Sequence, residues 1–267
     1  EYEQLVKDMK KLRLGRPGLD PGLDAHVKRA AAASNMSYPE SSSGQALDFF
    51  SGLVQEAIEG RDQSSLQLRL KQSRFPYQKT LEPFDFSFQP TLNERKVATL
   101  ATLRFIEAKE NIIFLGPPGT GKTHLSIALG VKACMAGYRV LFTTLHDLIY
   151  TLQASLADNT LPAKLRTYSQ PALLIIDEVG YLPLDRQGSQ FLFQLVTRRY
   201  EQGSIILTSN KAFADWGMAL GDGVIASAIL DRLLHHSTVF NIRGDSYRLR
   251  EKREALSREE VMRPDMD

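Results

Sequence analysis

The sequence predicts an α/β protein: a five-stranded parallel sheet with helices on both faces, preceded by a small helical N-terminal domain. Two observations predict it. From about Asn111, the short apolar runs "NIIFL", "RVLFTT", "ALLIID", "SIILTS" and "TVFNI" alternate with helical patterns. A continuous apolar run of strand length belongs to a strand buried on both faces, as in parallel sheets whose crossovers are helices. Directly after the first run, "GPPGTGKT" (Gly116 to Thr123) leads into the helical pattern "HLSIALGVKACMAG". That is the strand, glycine loop and helix order of a phosphate-binding P-loop.

The elements follow in chain order. Tyr2, Leu5, Val6, Met9 and Leu12 recur at helical spacing with Lys7, Lys10, Lys11 and Arg13 on the other faces, which predicts an amphipathic helix with a basic side. "GRPGLDPG" ends it, an Ala-rich helical piece follows, and "SNMSYPESSSGQ" is a second loop. Leu47, Phe50, Leu53, Val54, Ala57 and Ile58 mark another amphipathic helix. "DQSSLQLRLKQSRF" reads as a further helix, although Leu66, Leu68 and Leu70 also fit strand alternation. Pro76, Pro83 and Pro90 punctuate an extended connector, since proline fixes its own φ and biases the preceding residue toward extended backbone. The expected organisation is a helical domain over 1–75 for DNA or partner contacts, a connector over 76–90, a nucleotide-binding domain over 91–253 and a tail over 254–267.

Composition narrows the class. The 267 residues are 43% hydrophobic, enough for a proper core, and 33 basic against 31 acidic residues leave a net charge of +2. Attraction to nucleic acid must therefore come from local patches. The single cysteine, Cys134, lies in an apolar helical pattern, fits a buried position and suits a cytoplasmic location. No apolar run approaches the ~20 residues of a membrane span, and the first residues lack the apolar stretch of a signal peptide.

The chemistry gathers at strand ends. Glycines of "GPPGTGKT" let backbone N–H groups turn inward around phosphate oxygens, and the following helix aims its positive end at the same anion. Lys122 adds a mobile charge for the β- and γ-phosphates, and Thr123 supplies a hydroxyl ligand for Mg²⁺. "LLIIDE" puts Asp177 and Glu178 at the ligand-binding edge of a buried strand, the first suited to hold the metal and the second to polarise an attacking water. Hydrolysis is then the expected reaction. "IILTSN" places Asn210 at another strand end, where an amide can orient the water or the γ-phosphate or simply form a turn. The guanine-reading N-K-x-D is excluded because "NKAF" has Phe213 in place of the aspartate.

"GPPGTGKTHLSIALG", "LLIIDEVGYLPLD", "YEQGSIILTSNKAFADWG" and "AILDRLLHHSTVFNIRGDSYRLR" resemble the IstB family, transposition helper ATPases of bacterial insertion sequences within the AAA+ class. The likeness runs from about Leu70 to Arg253. It implies an AAA+ domain with ATP and Mg²⁺ as cofactors. Gly116, Pro117, Pro118, Gly119, Thr120, Gly121, Lys122 and Thr123 would be Walker A, with His124 following, and Asp177 and Glu178 Walker B. Asn210 would be sensor 1, Arg232 of "DRL" an arginine finger acting on a neighbouring subunit, and Arg248 of "SYR" sensor 2. An Asp-Arg pair at a helix end is otherwise a common surface feature. Few residues follow "TVFNI", so the C-terminal lid is expected to be minimal or absent.

The resemblance also implies a homo-oligomer with composite ATP sites, assembly on duplex DNA, and recruitment of the transposase of the same insertion sequence. A DnaC-like helicase loader is the alternative. Basic candidates for DNA are Lys7, Lys10, Lys11, Arg13, Arg69, Lys71, Arg74, Lys79, Arg198, Arg199 and Lys211, with Arg243, Arg250, Lys252 and Arg253 open between DNA and solvent. His235 and His236 are adjacent, which points them to different helix faces, and no carboxylate or cysteine cluster completes a metal site. Trp216, the only tryptophan, reads as a packing residue.

Overall fold

The structure is a computed structural model and describes residues 63–250. The basic N-terminal helix with Lys7, Lys10, Lys11 and Arg13, the Ala-rich piece, the helix from Leu47, Lys252, Arg253 and the 254–267 tail lie outside the described residues.

Each of the five apolar runs forms a strand: β1 Asn111–Leu115, β2 Val140–Thr144, β3 Leu173–Val179, β4 Ser204–Ser209 and β5 Ser237–Asn241. All neighbours pair in parallel, in the order β2-β3-β4-β1-β5. Alternation of side chains splits β1, β3 and β4 between two cores. Ile113, Leu115, Leu174, Ile176, Ile205 and Leu207 enter one, and Ile112, Phe114, Leu173, Ile175 and Ile206 the other. Both faces are covered, so the inner strands are buried along almost their whole length, whereas β5 at the edge is partly open.

The helices divide accordingly. α1 spans 63–72; α2 (Glu94–Leu100), α3 (Arg104–Glu107) and α4 (Lys122–Met135) lie with it on the face of Ile112 and Ile206. α5 (Leu145–Ala157), α6 (Leu161–Ser169), α7 (Arg186–Arg199), α8 (Trp216–Ala219) and α9 (Gly223–His235) cover the other. A helical turn, α10, begins at 247. Leu66, Leu70 and Phe75 pack against the α4 side of the sheet, and the compact unit that holds it begins at Leu66. Phe142 N–H donates to the Ser73 carbonyl (2.8 Å), and Phe75 meets the Phe142 ring edge-on, so this segment shields the β2 edge.

The connector is more structured than its prolines imply. Asp85 accepts from Ser87 N–H (3.0 Å) and Phe88 N–H (3.2 Å), capping a 3-10 turn over Phe86–Phe88. It is then tied to the chain after β5. Gln89 Nε2 donates to the Asp245 carbonyl (3.1 Å), and Thr91 Oγ1 both donates to the Arg243 carbonyl and accepts from Arg243 N–H, each at 2.9 Å.

Candidate active site

The glycine loop leaves β1 and enters α4 at the C-terminal edge of the sheet. Gly119 (φ +81°) and Gly121 (φ +90°) hold a backbone that L side chains rarely adopt. A Cβ would also find no room: at Gly119 it would lie 2.0 Å from Ser246 Oγ, and at Gly121 2.6 Å from the Phe84 ring. Gly121 caps α4 without a side-chain hydrogen bond, so no capping side chain takes the first N–H groups of the helix, the donors of an anion site. Lys122 Nζ donates to the carbonyls of Gly116 (2.7 Å) and Pro117 (2.6 Å). Burial pushes its ammonium down to about 8; the nearby Asp177 charge opposes that fall and Arg248 adds to it.

The acidic pair sits on a break in the sheet. Pairing of β3 with β4 slips between Ile176 and Val179, and Glu178 takes φ +62°. A bulge of this kind re-aims side chains at the cost of local strain. It buries Asp177 and leaves Glu178 exposed. Thr208 of β4 fills the slip: its hydroxyl donates to Asp177 Oδ1 and accepts from Glu178 N–H (3.0 Å). On the other side, Thr123 Oγ1 lies 3.0 Å from both Asp177 oxygens and donates between them. A hydroxyl and a carboxylate thus converge from two elements, the hard oxygen donors that magnesium takes.

Two adjoining cavities flank this contact. One, of about 410 Å³, lies between the loop and the connector and is lined by Phe84, Phe88, Gln89, Lys122 and Tyr247 among others. The other, of about 450 Å³, runs past Asp177, Glu178 and Asp147. Tyr77, Thr123 and Arg248 line both. Burial, and then the Asp177 charge, hold the Tyr77 phenol above its usual range. His124 is pinned by a 2.8 Å contact between Nε2 and the Thr80 carbonyl and by the edge of Phe84, and burial lowers its pKa.

Other expected site residues fall in different places. Asn210 follows β4 directly, and its Oδ1 is buried with no partner among the described residues. Arg232 is not among the residues lining either cavity; it donates to the Ala228 carbonyl (2.9 Å) and lies 4.9 Å over the Phe193 ring. Arg248 is exposed at the cavity wall. Trp216 and Cys134 are fully buried, and burial raises the thiol to about 11.

Two expectations need correcting. Arg199 cannot touch DNA: it is 1% exposed, and its guanidinium donates to the carbonyls of Tyr168, Ser169, Pro171, Ala172 and Ser204. Burial lowers its pKa to about 10. Its position in the last turn of α7 turns it under the sheet edge, while Arg198 beside it is exposed. His235 and His236 do not diverge, because α9 ends at His235 and His236 leaves helical geometry; their rings lie 4.0 Å apart, with Glu201 of the α7–β4 turn beside them. Among the remaining basic candidates, Arg69 Nε donates to the Cys134 carbonyl at the end of α4 (2.9 Å), whereas Lys71, Arg74, Lys79 and Lys211 are exposed.

Thr208, Tyr77, Phe84, Phe88, Gln89 and Tyr247 were not singled out by sequence. For Thr208 a signal exists, its polar hydroxyl inside the apolar "SIILTS" run. The aromatic residues of "FDFSF" carry none, since only the folded connector brings them over the loop.

Strand order, parallel pairing, the glycine loop and the Thr123–Asp177 contact define a P-loop nucleotide-binding domain of the AAA+ fold class. The chain belongs to the family described as IstB-like ATP binding protein, which matches residues 20–255. An ATP-binding protein of insertion sequence IS21 from Pseudomonas aeruginosa is 56% identical over 208 residues, 78% of each chain. One of insertion sequence IS5376 from Geobacillus stearothermophilus is 49% identical over 223 residues, 84% of this chain and 86% of that one. Among solved structures, DnaI shares the fold, with a TM-score of 0.52 at 20% identity over 63% of this chain and 89% of its own. No described helix is long and apolar enough to cross a membrane.

Proposed function

We propose that the chain is a cytoplasmic, magnesium-dependent ATPase that assembles on duplex DNA and recruits the transposase of its insertion sequence. The observation that carries the ATPase reading is the contact of Thr123 Oγ1 with both Asp177 oxygens, beside a Glu178 set outward by the bulge. The phosphates would lie against the N–H groups of Gly119 to Thr123, with the Lys122 ammonium transferred from loop carbonyls to phosphate oxygens. Thr123 and Asp177 would hold the magnesium, whose charge offsets that of the β- and γ-phosphates. Glu178 takes the proton of the attacking water as ATP and water become ADP and phosphate, and Asn210, directly after β4, is assigned to orient that water or the γ-phosphate.

Arg248 reaches the cleft from its own chain, while Arg232 faces the γ-phosphate of a neighbouring subunit. The position of Arg232 outside both cavities of its own subunit supports that assignment. One subunit is then an incomplete enzyme, and assembly controls turnover. Relatives described as insertion-sequence ATP-binding proteins support the transposition context. Exposed Lys71, Arg74, Lys79, Arg198 and Lys211 supply sequence-independent phosphate contacts.

The test combines turnover with DNA choice. Glu178→Gln is expected to bind ATP at near wild-type affinity and to lose turnover, while wild type turns over faster with duplex DNA. No turnover by wild type with or without DNA would reduce the chain to a nucleotide-gated binder. Preference for single strands over duplex in the ATP-bound state would favour the helicase-loader reading.

A further inference from the structure

The N-terminal edge of the sheet carries a second cluster of metal-ligand type, away from the cleft. Glu201, His235 and His236 each offer a ligand atom, and the three lie within 4.8 Å of one another. His236 Nε2 is 3.4 Å from Glu201 Oε1. Two ligands of one late first-row ion at about 2.0–2.1 Å each are separated by a similar distance in a tetrahedral site, so little movement closes the shell. The His236 backbone carbonyl accepts from the N–H of Asn111 (2.8 Å), the first residue of β1, which fixes the cluster at the opposite end of the strand from the glycine loop.

We propose that Glu201, His235 and His236 form a binding site for one zinc-class divalent ion, with water completing the shell. The donor set of two imidazoles and one carboxylate is that of borderline metals rather than of magnesium, which separates this site from Thr123 and Asp177. A supporting partner is already in place: the Tyr200 hydroxyl lies 2.8 Å from His235 Nδ1 and stacks on its ring, which leaves Nε2 as the metal-binding nitrogen. Outer-shell hydrogen bonds of this kind orient metal-binding imidazoles. All three ligands are exposed, so the ion can enter without unfolding. The site joins the α7–β4 turn to the end of α9, the helix that carries Arg232 one turn earlier.

Calorimetric titration of the full, nucleotide-free chain with Zn²⁺ tests the site, with melting temperature as a second readout. Wild type is expected to bind one ion that Glu201→Gln and His236→Ala each lose by at least tenfold in affinity, and Tyr200→Phe to weaken it by about tenfold. Zn²⁺ should raise the melting temperature of wild type and not of the two ligand variants. No Zn²⁺ binding by wild type, or binding that survives either ligand substitution unchanged, overturns the site. Asp177→Asn serves as the control for the nucleotide cleft; loss of the same Zn²⁺ in that variant would place the ion there and overturn the proposal too.

Discussion

Lys122 shows how a single environment sets a working range. The side chain is buried, which lowers the ammonium pKa to about 8, and it holds only loop carbonyls, whereas bound phosphate requires the charged form. As pH rises through 8, the free protein loses this proton and binding must take one up. ATP affinity should therefore fall by about tenfold per unit above pH 8. Calorimetry at pH 7, 8 and 9 checks this, with Lys122→Ala expected to be weak and flat over the same range. Thr208 makes a second residue-scale case. Thr208→Val keeps the shape but removes a donor to Asp177 and the acceptor for Glu178 N–H. Leaving such groups unsatisfied costs about 1–3 kcal/mol, readable as a lowered urea midpoint, and turnover should drop more than ATP affinity because Glu178 loses its anchor.

At the scale of elements, adjacent arginines at the end of α7 have opposite fates. Arg199 gathers five carbonyls from the end of α6, the α6–β3 turn and the start of β4, so it closes the bottom of the sheet. Arg199→Met should destabilise the domain by more than about 2 kcal/mol, whereas Arg198→Met stays within about 0.5 kcal/mol and lowers DNA affinity; chemical denaturation and a salt-dependent DNA titration separate the two. The connector is the other telling element. Prolines explain its extended course, but its attachment over the loop depends on Phe84 meeting Gly121, Thr80 holding His124 and Gln89 reaching Asp245. The cavity wall outside the glycine loop is therefore built from two segments far apart in sequence.

For the whole molecule, the proposed function predicts that Arg232 and Glu178 serve different active sites. Arg232→Ala should bind ATP and fail to turn it over, as should Glu178→Gln. Mixing the two variants is expected to restore part of the activity, because an intact Glu178 then faces an intact Arg232 across a mixed interface. A mixture as inactive as its components would return Arg232 to a role within its own subunit.

All five strands, the P-loop and the acidic strand end were legible in the sequence for one reason. Strands buried on both faces must be continuously apolar, and a phosphate loop needs glycine at fixed spacing whatever surrounds it. The sequence thereby determined the fold class, the family likeness and the positions of the glycine loop and the acidic strand end. Tertiary structure alone decided which charges stay free, what covers the cleft and which side chains meet across the sheet ends. Arg199 and Arg198 look equivalent along the chain, and His235 and His236 seem to diverge, until packing buries the first and a helix end turns the second pair toward Glu201. Burial and long-range contact are properties of the folded chain, and no local spacing encodes them.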